Sequence, residues 1–66
     1  MNINKLKGKI VERGMKTEDL ANKIGCDKST LYRVYKEPEK MTIGMAKKIK
    51  AALDMTNQEA IEIFLF

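Results

Sequence analysis

Apolar positions recur along the chain at helical spacing and divide it into five segments. Over residues 3–13, Ile3, Leu6 and Ile10 form one inward stripe, with Val11 at its edge. Lys5, Lys7, Lys9 and Arg13 fall on the remaining surface. Leu20, Ala21 and Ile24 make a second stripe at i, i+1, i+4. Leu31, Val34 and Tyr35 make a third at i, i+3, i+4, and Ala46, Ile49 and Leu53 a fourth. In the tail, Ile61, Phe64 and Leu65 share one helical face and are expected to close the core, leaving Ile63 and Phe66 over. The pattern predicts an all-α fold, a compact five-helix bundle forming one domain over residues 1–66.

The polar residues between these stripes punctuate them. Gly14 is expected to end the first helix, with Met15 packed beneath the junction. Gly8 lowers local helix propensity by roughly 1 kcal/mol relative to alanine, and leaves room for another helix to approach. Gly25 follows Ile24, where a helix ends most cheaply because glycine enters the left-handed region without a Cβ clash. Cys26 lies in the turn, and Asp27 offers a carboxylate to cap a helix beginning Lys28-Ser29-Thr30. Pro38 ends that helix within Glu37-Pro38-Glu39. Thr42 is the expected cap of the fourth helix, running to about Leu53. Thr56-Asn57-Gln58-Glu59 has the spacing of a capping box for the fifth.

Stretch 17–36 is therefore two short helices joined by a tight turn. In the second of them, Lys28, Ser29, Tyr32, Arg33 and Lys36 lie opposite the Leu31 stripe. A front of cations, a hydroxyl and a phenol suits an acidic, hydrogen-bonding partner lying along a helix, such as the major groove of DNA.

Composition narrows the alternatives. The 66 residues contain one cysteine and no histidine, so neither a disulfide framework nor a Cys/His zinc site can form. One cysteine also fits a reducing, cytoplasmic compartment. No apolar run approaches the ~20 residues of a membrane span, and no signal-peptide pattern is present. The net charge of +4 is unevenly placed. Residues 1–50 hold all 13 Lys and Arg and six of the nine acids, whereas residues 51–66 hold Asp54, Glu59 and Glu62 and no base. A basic body with an acidic, apolar tail fits a nucleic-acid binder with a separate second face; a generic lysine-rich surface explains the charge alone equally well. Enzymatic chemistry has little footing. There is no histidine base, no G-x-S-x-G and no phosphate-binding P-loop, and Glu18/Asp19 and Glu37/Glu39 lack apolar walls to shift their ionisation. Cys26 reads as buried filler rather than a nucleophile, the five methionines read as core and junction filler, and neither a cofactor, a small-molecule ligand nor a metal is expected.

The stretch TEDLANKIGCDKSTLYRVYK resembles the helix-turn-helix of the lambda-repressor/Cro superfamily of phage and bacterial regulators. The residues that carry the likeness are Leu20-Ala21, Ile24-Gly25, Cys26 in the apolar turn position, and Ser29-Thr30-Leu31 with Arg33. Gly14-Met15 fits the family's first junction, and Thr42 with Ala46, Ile49 and Leu53 its fourth helix, so the resemblance covers nearly the whole chain. Three features depart from the pattern. Lys16 stands at the cap position of the second helix, although Thr17 is the better cap by propensity, and Thr17 stands where the family usually has a phosphate-contacting glutamine. The Asn-Gly pair often found after the third helix is missing.

The resemblance implies a sequence-specific, double-stranded DNA-binding transcriptional regulator, Cro- or repressor-like, that reads the major groove with its third helix. Lys28, Ser29 and Arg33 match the family's base-contacting positions. Arg33 can pair bidentately with guanine, and Lys28 can donate to guanine or to a phosphate. Tyr32 on the same face offers its ring to a thymine methyl or its hydroxyl to a phosphate; otherwise it is a spacer beside Tyr35. Thr17, Thr30, Lys36 and Lys40 are the expected phosphate contacts. Thr30 is alternatively structural, Lys36 and Lys40 are alternatively solvated charges, and Glu18 and Asp19 repel a phosphate at Thr17 unless they point away. The leftover Ile63 and Phe66 suggest a homodimer on a pseudo-palindromic operator; the alternative is that both fold back onto the same core. The length looks more like a Cro-type protein than a full-length repressor, and a domain excised from a longer repressor looks the same. Two competing readings are a protein-interaction module, such as an antirepressor using the IEIFLF tail, and an antitoxin-type autoregulator.

Overall fold

A computed structural model describes residues 1–65 of the chain. Phe66 lies outside the described residues. Five α-helices follow in order: α1 (Ile3–Glu12), α2 (Thr17–Ile24), α3 (Lys28–Lys36), α4 (Ile43–Ala52) and α5 (Asn57–Phe64). A single 3-10 turn, Pro38–Lys40, fills the α3–α4 connection where the sequence pointed to a loop.

Local chemistry sets the helix starts. The Asn2 side chain accepts from the Lys5 N–H at 3.0 Å, and the Asp27 carboxylate from the Ser29 N–H at 3.0 Å. The Thr42 hydroxyl accepts from Met45 N–H at 3.0 Å. Thr56 and Glu59 form the expected reciprocal box, at 3.1 and 2.9 Å. The cap position of α2 is Lys16, not Thr17, because the Asp19 carboxylate folds back to accept the Lys16 N–H at 2.9 Å.

Three helices end in one closure. Cys26 N–H donates to the Ala21 carbonyl, Met15 N–H to Ile10 and Met55 N–H to Lys50, each at 3.0 Å, around a residue of positive φ. Glycine fills that position at Gly14 and Gly25, but α4 uses Asp54, with φ 50°. Arg13 supports this costlier end: its Nε donates to the Leu53 carbonyl at 2.8 Å and its guanidinium to the Asp54 carbonyl at 3.2 Å. Arg13 is thus a clamp between α1 and α4 as well as a surface charge.

The core is the set of stripes brought together. Leu6, Ile10, Leu20, Leu31, Ile49 and Leu53 are all buried. The helix α2 packs on α3 and α4, while α5 closes over α1. Asn2 N–H donates to the Ile63 carbonyl at 2.7 Å, which ties the amino terminus to α5. Burying one leucine fully stabilises by roughly 1.5–3 kcal/mol, so fully buried Leu20 and Leu31 each help on that scale to hold α2 and α3 on the core.

Four packing expectations need correction. Ala60, Ile63 and Phe64 face the core, whereas Ile61 and Leu65 are 52% and 68% exposed. The tail offers two overlapping stripes at i, i+3, i+4, and the covering of α1 selects the first. Leu65 has left the helix with φ 63°, so counting it in the helical stripe fails. Ile63, expected at a dimer contact, is 4% exposed within its own protomer and has no surface left to offer. Lys9 is buried rather than solvated, because α5 covers it with Glu59. Gly8 is not a close-approach point either: a Cβ built there meets nothing within 4 Å. Val11, at the edge of the α1 stripe, is exposed.

Candidate nucleic-acid interface

The outward face of α3 follows from its inward one. Leu31 and Val34 are buried, so at 100° per residue Lys28, Ser29, Tyr32, Arg33 and Lys36 point away, and all five are exposed. Together they line one shallow groove along the helix, and none of them is an acid. Lys40 ends the 3-10 turn and is also exposed, while Thr30 is half-buried at the helix edge.

Tyr32 is less free than its exposure suggests. Its phenol donates to Glu18 Oε1 at 2.8 Å, across the turn between α2 and α3. Its ring meets that of Tyr35 edge-to-face, with centroids 5.8 Å apart and planes at 89°. The phenol's hydrogen bond holds the Glu18 carboxyl below its usual range, with smaller help from its own backbone and from Lys28 and Lys16. The same bond raises the Tyr32 phenol.

Thr17 and Tyr35 form the second half of this network. The Thr17 hydroxyl lies 3.0 Å from the Tyr35 hydroxyl, and either atom can donate. Tyr35 is half-buried, and that burial pushes its phenol up, so it stays neutral. The Lys7 ammonium of α1 lies 4.9 Å from the Tyr35 ring centroid, a cation–π contact. Glu18 and Asp19, which threatened any anion at Thr17, are both engaged, one with Tyr32 and the other with the Lys16 N–H.

Sequence reasoning brought the five α3 side chains together as one surface but missed that Glu18 of α2 is tied to Tyr32 and Lys7 of α1 to Tyr35. Glu18 is 14 residues from Tyr32, and Lys7 is on another helix, so no helical periodicity links them. Cys26 is half-buried against the core, as its turn position suggested. Among the described residues, no three His, Cys, Asp or Glu side chains converge on a possible metal site, and no helix is long and apolar enough to cross a membrane.

A family model described as Cro/C1-type HTH DNA-binding domain matches residues 5–64. The chain belongs to this family. The match includes both α2 and α3 and runs to the last residue of α5, so the all-α helix-turn-helix fold and a DNA-binding regulator's role come with it. No curated protein and no solved structure matches the chain.

Proposed function

We propose that this Cro/C1-type chain is a sequence-specific transcriptional regulator, a single domain that reads the major groove with α3. In this reading Lys28, Ser29, Tyr32 and Arg33 face base edges. Thr17, Thr30, Lys36 and Lys40 hold phosphates on either side and set the register. The observation that carries the proposal is the acid-free outer face of α3, with three cations among its five exposed side chains. The protein acts by occupancy in the cytoplasm of a bacterial or phage-infected cell, blocking or recruiting polymerase without a cofactor.

The reader is a homodimer on a pseudo-palindromic site, with half-sites about one helical turn, roughly 34 Å, apart. Burial of Ile63 moves the contact surface to exposed apolar residues beside it. Ile43 and Ile61 line a groove between α4 and α5 that includes Lys47 and Lys50, and Leu65 follows one turn after Ile61. The occupant is a second copy of the same face: lysines on α4 of one protomer meet the partner's carboxyl-terminal segment, which carries acids and no base. The same groove favours a second reading, an antirepressor-type module that docks a different protein there.

Selection from random duplex DNA, followed by salt titration on the enriched sequence, separates the two. A two-fold symmetric consensus with a steep loss of affinity on added salt supports the operator reader. Failure to enrich any sequence, with weak binding lost near physiological salt, rejects it in favour of the interaction module.

A further inference from the structure

We propose that Glu18 is a positioning residue, fixing the Tyr32 ring so that it reads the 5-methyl group of a thymine in the major groove. This rests on the operator-reading function above and assigns one of its specificity contacts.

Tyr32 is held at two points, by Glu18 at its hydroxyl and by Tyr35 at its ring. Tyr35 is itself tethered by Thr17 and by the Lys7 ammonium. A phenol has one proton, and here it goes to a carboxylate, the stronger kind of hydrogen bond. Donation to a DNA phosphate therefore requires breaking that bond. A phosphate brought to this hydroxyl also meets the negative charge of Glu18 2.8 Å away from it. Both facts turn Tyr32 away from backbone contact.

What Tyr32 still presents outward is ring carbon, in the groove it shares with Ser29 and Arg33. In the major groove the apolar feature of the bases is the thymine methyl. Immobilising a free side chain on binding costs affinity, and a ring already pinned at two points avoids that cost. Glu18 thus contributes without touching DNA: it consumes the proton that favours a phosphate and leaves the ring set for a methyl.

The test replaces each thymine of the selected duplex in turn with deoxyuridine, which lacks only the methyl. The wild-type protein is expected to lose about fourfold in affinity at one position per half-site, the equivalent of one buried methyl. Tyr32→Ala removes that discrimination, and Glu18→Ala brings the thymine-to-deoxyuridine ratio close to one. Glu18→Gln restores it, because a carboxamide oxygen also accepts the phenol proton. Thermal melting followed by circular dichroism confirms that the variants fold. The proposal is overturned if wild-type protein tolerates deoxyuridine everywhere, if the half-site holds no thymine, or if Glu18→Ala keeps the full ratio. A uniform gain in affinity by Glu18→Ala with an unchanged ratio makes Glu18 an electrostatic brake instead. These outcomes are distinct from failure to enrich any sequence, which removes the operator reading and this assignment together.

Discussion

The Lys9 side chain is 7% exposed, and its ammonium bonds the Glu59 carboxylate where α5 crosses α1, with a Glu12 oxygen 3.5 Å from the same nitrogen. Lys9 comes first among the causes that hold the Glu59 carboxyl down to about 2 from an ordinary 4.5, and the Thr56 backbone N–H comes second. The folded state thus prefers the ionised carboxylate. The unfolded chain takes up the proton near 4.5, so this contribution is fully present above that pH and is lost as pH falls towards 2. Glu59→Gln is expected to lower the melting temperature at pH 7, because it leaves a buried ammonium poorly paired. The gap between variant and wild type should close as pH is lowered from 4.5 to 2. Melting curves across that window check this; a gap that stays constant means the pair adds nothing to the acid response.

Two glycines make opposite predictions. Gly25 has φ 77° at the end of α2, where a Cβ is strained even with open space around it. Gly25→Ala is expected to cost about 1–2 kcal/mol. Gly8 has an open Cβ position in mid-α1, with no positive φ to protect. Gly8→Ala should stabilise by roughly 0.5–1 kcal/mol through reduced unfolded-chain entropy. Denaturant midpoints at constant slope decide both. A neutral Gly25→Ala means that the turn can adopt another path.

Much of this architecture was legible because its determinants are local. Gly25, Asp27, Thr42 and the Thr56–Glu59 pair act within four residues, and the stripes on α1 to α4 each have one dominant face. The same reasoning exposed the five side chains on the α3 front, since burying Leu31 and Val34 settles where the rest point. The tail was not legible, because two stripes fit α5 equally and only α1 distinguishes them. Nor were the pairs Lys9–Glu59, Tyr32–Glu18 and Arg13–Leu53, which join distant residues and leave no periodic trace. For Tyr32 this changed its chemistry: a phenol that looks free to donate is already donating.

Arg33 and Lys36 lie on the same exposed face but are assigned different work. Arg33 has the fork that matches guanine O6 and N7, so Arg33→Ala should relax preference at one base pair per half-site by about 1–3 kcal/mol. Lys36, at the last turn of α3, should behave as a phosphate contact. Its alanine variant should weaken binding to all sequences alike and reduce the salt slope by about 1. Affinities for a panel of single-base variants at several salt concentrations test both roles. A uniform loss with a shallower slope for Arg33→Ala makes Arg33 a phosphate contact and removes the guanine assignment.

Ile61 and Ile63 sit two residues apart on α5 and should respond differently to substitution. Ile63 is sealed in the protomer, so truncating Ile63→Ala should cost about 2–5 kcal/mol of stability. Ile61 is exposed beside Ile43 in the α4–α5 groove, so Ile61→Glu should leave the monomer's stability within about 0.5 kcal/mol. If two copies meet on this face, a buried, unpaired carboxylate opposes their association. Sedimentation should then show Ile61→Glu as a monomer at concentrations where wild-type protein is dimeric. Binding to a full palindromic site should fall towards that of a half-site, because the second half-site no longer adds its contacts through a linked partner. A variant that remains dimeric, or wild-type protein that is monomeric even on a palindrome, places the groove outside the operator-reading assembly and leaves it to a different protein.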